Sequence, residues 1–168
     1  MASVCRSRAG PRPDRHPRFA ACNAAAVVGG IASFEAGPFY LQLERPAWAP
    51  PPWLFGPVWT ILYLFMAVAV WLVWRKRETR SIGMPLALFG AQLAANAVWS
   101  WLFFAERRGA WALADIAALL VLVALTALSF ARVRRVAGAL MVPYLAWVAF
   151  AAVLNLSVWR ANPGLLGT

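Results

Sequence analysis

Five long apolar stretches run along the 168-residue chain, separated by short segments rich in proline or charged residues. A helix needs about 20 mostly apolar residues to cross a bilayer, and each stretch reaches that length. Strands are not expected, because an open sheet would leave backbone groups unpaired in lipid. The pattern therefore predicts an all-α membrane protein, a bundle of five transmembrane helices. The predicted helices cover residues 19–42, 53–74, 83–104, 110–131 and 137–159.

The composition excludes a sizeable water-facing domain. Hydrophobic residues make up 62% of the chain and charged residues 13%, against about 25% charged residues in soluble domains. We predict a basic, disordered tail at 1–18, a five-helix transmembrane domain at 19–162 and a short C-terminal tail at 163–168. The Arg-rich start before an apolar run also fits a signal peptide. Asn23 and the Gly29-Gly30 pair inside that run favour a retained first span.

The net charge of +10 arises from basic residues concentrated in the segments on one side of the predicted spans. Twelve of the 16 Lys and Arg residues lie in the tail and in the segments 75–80 and 132–135. Cytoplasmic loops carry such an excess, so we expect the N-terminus inside and the C-terminus outside. The proline-rich first loop then lies outside. No nucleic-acid partner is expected, because the basic residues are divided among the segments that set membrane topology.

Polar and aromatic side chains recur at helical spacing on three predicted helices, although polar groups are expensive in lipid. The stripes contain Phe55, Trp59 and Tyr63; Gln92, Asn96, Trp99, Ser100 and Phe103; and Tyr144, Trp147, Ala151 and Asn155. Aromatic walls with a few amide and hydroxyl groups suit a large, planar, mostly apolar ligand. The alternative is packing alone, in which Asn, Gln and Ser hydrogen-bond neighbouring helices.

Three further features bear on function. Asp115 lies inside the fourth predicted helix, where it could bind a proton, a cation or another helix, as a proton-coupled exporter would require. His16, the only histidine, lies in the tail, so no metal site and no cofactor are predicted. Gly90 and Ala94 form a small-xxx-small pair typical of close helix contacts, which predicts a homodimer, although chance alone could align residues as common as alanine.

Three segments together resemble one known family. They are FYLQLERPAWAPPPWLFGPVWTILYLFMAVAVWLVW at 39–74, QLAANAVWSWLFF at 92–104 and VPYLAWVAFAAVLNLSVWRAN at 142–162. In this order they strongly resemble the translocator protein family, also called tryptophan-rich sensory proteins or peripheral benzodiazepine receptors. The resemblance runs from about residue 24 to residue 162 and leaves out the basic tail.

The resemblance implies a five-helix bundle, commonly dimeric, that binds tetrapyrroles, sterols and benzodiazepine-type drugs in a pocket closed by the first loop. It assigns the dimer contact to Gly90 and Ala94. The family's sterol motif requires a central tyrosine, which is missing from VLNLSVWR at 153–160, so sterol binding by that motif is not expected. With Gln92 added from its stripe, the predicted ligand-binding residues are Tyr40, Pro46, Trp59, Tyr63, Gln92, Asn96, Trp99, Ser100, Trp147 and Ala151.

The predicted function is binding of protoporphyrin IX or related tetrapyrroles in their transport, sensing or metabolic control and in stress response, in a bacterial cell membrane. Porphyrin is then a ligand, and lipid or sterol could share the site. A light- or oxygen-dependent porphyrin-degrading enzyme is the alternative, with Trp59 and Trp147 stacking on or reacting with the ring. An exporter using Asp115 is a further alternative.

Overall fold

The structure, a computed structural model, describes residues 39–167. Within this range it is all-helical, with no strand. The helices are α1 (Pro52–Trp74), α2 (Gly83–Ser100), α3 (Gly109–Val133) and α4 (Arg135–Ala161), and a π-helical turn (Trp101–Ala105) continues α2.

Four helical segments, α2 being taken with its π-helical turn, are long and apolar enough to cross a membrane. They confirm four of the predicted spans, with bounds that agree within two residues. The predicted span 19–42 lies outside the described residues except for residues 39–42, which are helical. The predicted tail 1–18 also lies outside them.

The turn between α3 and α4 is tighter than the sequence suggests. The basic segment 132–135 was expected to separate the helices, but both helices extend into it and only Arg134, in an extended conformation, joins them. These two helices share the most extensive interface in the described bundle, while α2 packs on α3 and α1 packs on α4. Gly138 permits the close approach, because its backbone lies against Ala131 and the Ala127 carbonyl.

Replacing Gly138 by alanine should therefore lower the stability of the bundle. The new Cβ would lie 2.5 Å from Ala131 Cβ and 2.8 Å from the Ala127 carbonyl oxygen. Overpacking of this kind costs about 1 to 3 kcal/mol, which thermal unfolding in detergent, followed by circular dichroism, can measure. Gly56→Ala is the matched control, because no atom of another segment within residues 39–167 lies within 4 Å of its added Cβ. Equal stability of the two variants would contradict the close α3–α4 contact.

The core lies where α1, α3 and α4 meet, and the outer surfaces are apolar, as lipid requires. Trp53, Trp71, Trp74 and Trp111 are exposed near helix ends, where tryptophans anchor at membrane interfaces. Arg75 lies over the Trp71 ring, 4.8 Å from its centroid. Buried side chains of the core include Leu62, Met66, Ile116, Leu119, Val123, Phe130, Met141, Tyr144 and Val148.

Candidate ligand site

Three chain segments meet at one end of the bundle: the proline-rich loop (residues 43–51), the turn after the π-helical segment, and the C-terminal end of α4. Phe39, just before the loop, makes edge contacts with Phe103 and Phe104, at 6.5 Å between centroids in each case. Arg107 lies 4.9 Å over the Phe39 ring. The amide of Asn162, where α4 ends, bonds to the backbone of Glu44. This end carries the candidate site.

A chain of aromatic contacts connects the loop with α1 and α4. The Tyr40 ring meets Phe55 edge-on at 5.3 Å, and Phe55 meets Trp147 edge-on at 5.9 Å. Trp147 continues to Phe150 at 5.5 Å, and Phe150 contacts Trp48 of the proline-rich loop at 5.8 Å. Two of the predicted site residues, Tyr40 and Trp147, are therefore joined through Phe55.

A second group joins α1 to α4 and α2. Trp59 lies 5.5 Å from Tyr63 and 6.2 Å from Tyr144, measured between ring centroids. The Asn96 amide donates to the Tyr63 hydroxyl at 3.3 Å. One turn before Asn96, the Gln92 amide contacts Met66 Sδ at 3.8 Å. The stripe on α1 thus contacts the stripes on α2 and α4.

The π-helical turn arranges the aromatic rings at the end of α2. Trp99 stacks on Phe103 at 5.6 Å with an interplanar angle of 19°, and it meets Phe104 edge-on at 5.9 Å. π-Helical turns occur frequently at functional sites because they change which side chains share a face. Ser100, just before the turn, donates to the Asn96 carbonyl of its own helix at 3.1 Å. No hydrogen bond from Ser100 to another helix is observed among residues 39–167.

Several buried polar atoms have no hydrogen-bond partner in the described part of the chain. They belong to Gln92 (Oε1), Trp99 (Nε1), Asp115 (Oδ2), Tyr144 (hydroxyl) and Asn155 (Nδ2 and Oδ1). Buried polar groups normally are paired, and each unpaired one costs about 1 to 3 kcal/mol. Apart from Asp115, these residues lie on the stripes of α2 and α4. Within residues 39–167, the candidate site therefore carries buried donors and acceptors that have no hydrogen-bond partner.

An open cleft of about 490 Å³ lies along the proline-rich loop. The Arg45 guanidinium lies 5.0 Å over the Tyr40 ring, and the Tyr40 hydroxyl donates to the Pro50 carbonyl at 3.3 Å. Pro46 lies in this cleft rather than among the aromatic rings of the helices. The cleft is lined by Leu41, Leu43, Arg45, Pro46, Ala49, Pro51 and Pro52.

The other predicted residues have less direct roles. Ala151 is partly buried against the core. Gly90 and Ala94 are exposed on α2, and no atom of another described segment lies within 4 Å of a Cβ added at Gly90. Asp115 is partly buried on α3. No group of three His, Cys, Asp or Glu residues that could hold a metal occurs in residues 39–167.

The sequence-based set omits residues that the structure brings to the site. Phe55, Tyr144 and Asn155 were on the predicted stripes but were not among the predicted ligand-binding residues. Helical spacing was the only feature of the sequence that pointed to these three residues. Asn162 was not singled out, because its contact with Glu44 joins positions 118 residues apart, and no local pattern indicates such a pairing.

Comparison with known proteins agrees with this architecture. The TspO/MBR family matches residues 18–160. The tryptophan-rich protein TspO of Chlorobaculum tepidum is 43% identical over 129 residues, covering 74% of this chain and 80% of that protein. The human translocator protein is 40% identical over 131 residues, covering 77% and 78%. The tryptophan-rich sensory protein of Cereibacter sphaeroides is 38% identical over 144 residues, covering 86% and 88%.

The four apolar helices and these similarities define an integral membrane protein with aromatic-rich helices. The chain belongs to the TspO/MBR family.

Proposed function

We propose that the protein binds protoporphyrin IX or a related tetrapyrrole between α1, α2 and α4 and takes part in the transport, sensing or metabolic control of that ligand. The ligand would lie beneath the proline-rich loop. Trp59 and Trp147 would provide flat apolar surfaces for a macrocycle, with Tyr63, Asn96 and Trp99 beside them. Aromatic side chains gain most from planar ligands by stacked or edge contacts.

The unpaired polar atoms are the observation that carries this proposal. Gln92, Trp99, Tyr144 and Asn155 place donors and acceptors that have no partner within residues 39–167 on faces that also carry the aromatic residues. None of these four side chains is charged. They suit the neutral pyrrole nitrogens of a metal-free macrocycle, which can donate or accept hydrogen bonds.

Carboxylates of the ligand would lie at the loop. Arg45 is exposed there and stacks on Tyr40, whereas the described spans place no Lys or Arg beside Trp59, Tyr63 or Trp147. Burying a carboxylate without a partner is strongly unfavourable. Propionate groups should therefore point toward Arg45 and the membrane surface. By the distribution of Lys and Arg, we place this surface outside and the N-terminus inside.

Titration with protoporphyrin IX tests the proposed function. Purified protein in detergent should show saturable quenching of tryptophan fluorescence, because several tryptophans contact or surround the site. Equilibrium dialysis should give the same affinity. A linear, non-saturating change in both assays would contradict tetrapyrrole binding. A non-planar amphiphile of similar mass provides the control for detergent partitioning.

The exposed small-residue face of α2 supports a homodimer. Gly90 and Ala94 lie on it, and no atom of another segment within residues 39–167 fills the space around Gly90. Close helix approach in membranes depends on such residues. Gly90→Leu should therefore convert a dimer to a monomer in size-exclusion chromatography with light scattering. Gly56→Leu, at an equally open position on α1, should leave the dimer intact. A wild-type monomer, or a Gly90→Leu variant that stays dimeric, would contradict this interface.

A further inference from the structure

Asn162 is the residue at which α4 ends, and its polar groups are fully used. The side-chain Oδ1 accepts a hydrogen bond from the Glu44 backbone N–H at 2.8 Å, and Nδ2 donates to the Glu44 carbonyl at 2.9 Å. Nδ2 also donates to the Val158 carbonyl at 2.8 Å. Only 5% of Asn162 is exposed. One amide side chain thus binds both backbone groups of a single loop residue.

Because of the position of Glu44 in the chain, these bonds attach the proline-rich loop to α4. Glu44 stands at the start of the proline-rich loop, directly after the buried Leu43. The far end of the loop is held by the Tyr40 hydroxyl, which bonds to the Pro50 carbonyl. The Glu44 side chain is exposed. The loop is therefore attached to α4 through its backbone at Glu44 and through the contact of Trp48 with Phe150. The attachment at Glu44 depends on Asn162 rather than on the side chain at position 44.

We propose that Asn162 is the positioning residue that holds the proline-rich loop closed, and that release of its two bonds to Glu44 sets how fast a ligand enters and leaves the site. The part about ligand exchange rests on the proposed function. The attachment of the loop does not. When the amide releases Glu44, the first half of the loop can lift away from α4 while Tyr40 still holds its second half.

Hydrogen exchange measures the attachment without any ligand. In the wild type, the Glu44 N–H should exchange slowly because it is bonded to a buried acceptor. Asn162→Ala should increase the exchange rate in peptides covering residues 43–49 about tenfold, as expected for the loss of two neutral hydrogen bonds. Glu44→Ala should leave the rate unchanged, since it keeps the backbone bonds. Unchanged exchange in Asn162→Ala would overturn the proposal.

Stopped-flow mixing with protoporphyrin IX measures ligand exchange. Asn162→Ala should increase the association and dissociation rates by about the same factor, about tenfold, so that Kd changes much less than either rate. Asn162→Asp keeps an acceptor for the Glu44 N–H but turns a buried carboxylate oxygen toward the Glu44 and Val158 carbonyl oxygens, so its rates should be at least as fast as those of Asn162→Ala. Equal rates in wild type and Asn162→Ala, with faster hydrogen exchange, would overturn the role in ligand access.

Asn162 also hydrogen-bonds within its own helix, so a control variant must separate loop attachment from a general stabilisation of α4. Ser157→Ala removes a comparable bond, from Ser157 Oγ to the Val153 carbonyl at 2.9 Å, without touching the loop. Its exchange and binding rates should equal those of the wild type. If Ser157→Ala reproduced the Asn162→Ala rates, general weakening of α4 would explain them and the proposal would fail. If the wild type bound no porphyrin, the proposed function would fail, while hydrogen exchange would still decide the attachment.

Discussion

Trp147→Ala is expected to lower the affinity for protoporphyrin IX about tenfold to a hundredfold, since stacking on one aromatic side chain is worth about 1 to 3 kcal/mol. Trp147 contacts Phe55 on α1 and Phe150 on its own helix, so it connects the aromatic rings of the site. Equilibrium dialysis measures the change directly. Trp147→Phe keeps an aromatic ring and should lose less affinity.

The matched control for this prediction is Trp111→Ala. Trp111 is 59% exposed near the start of α3, and its removal should leave the affinity unchanged. Thermal unfolding of each variant in the same detergent separates loss of binding from loss of fold. Equal affinities for Trp147→Ala and Trp111→Ala would show that the ligand does not stack on Trp147.

Asn155→Leu is expected to weaken porphyrin binding about tenfold while leaving the protein as stable as the wild type or more stable. Asn155 is 2% exposed, and neither side-chain polar atom has a partner in the described residues. Leucine has a similar size and matches the apolar neighbours Leu154 and Val158 on the same helix. Replacing an unpaired buried amide therefore removes an unfavourable contribution of about 1 to 3 kcal/mol. The ligand would lose its hydrogen bond.

Asn96→Leu provides the contrast for this second prediction. Asn96 is bonded to the Tyr63 hydroxyl, so its replacement should lower both stability and affinity. Thermal unfolding measures the stability of both variants, and equilibrium dialysis measures their affinity for protoporphyrin IX. A loss of stability in Asn155→Leu as large as that in Asn96→Leu would contradict the proposal that the Asn155 amide is kept for a ligand.

The spans could be predicted closely because lipid imposes a simple rule on the chain. α1 ends at Trp74, immediately before the charged segment that starts at Arg75, and hydropathy alone finds that boundary. The short connection at Arg134 was not predicted, because charged residues there were expected to leave the helices. The helices instead extend to the interface, where arginine side chains can reach water.

The site could be predicted only in part. Helical spacing identifies which residues share a face, and it placed Trp59, Asn96 and Trp147 correctly on inward faces. It cannot say which faces meet, because that depends on the order of helices in the bundle. The π-helical turn also lacks a signal, since Trp101–Ala105 is as apolar as the helix before it. The hydrogen bonds between Asn162 and Glu44 form only when the end of α4 meets the start of the proline-rich loop.

The most direct test of the central claim is a crystal structure of the full chain with protoporphyrin IX bound. The macrocycle should lie between α1, α2 and α4, in contact with Trp59 and Trp147. Asn155 should lie within hydrogen-bond distance of it, and the carboxylates should point toward Arg45. Density for the porphyrin on the outer lipid-facing surface, with the rings of Trp59 and Trp147 still packed only against protein, would contradict it.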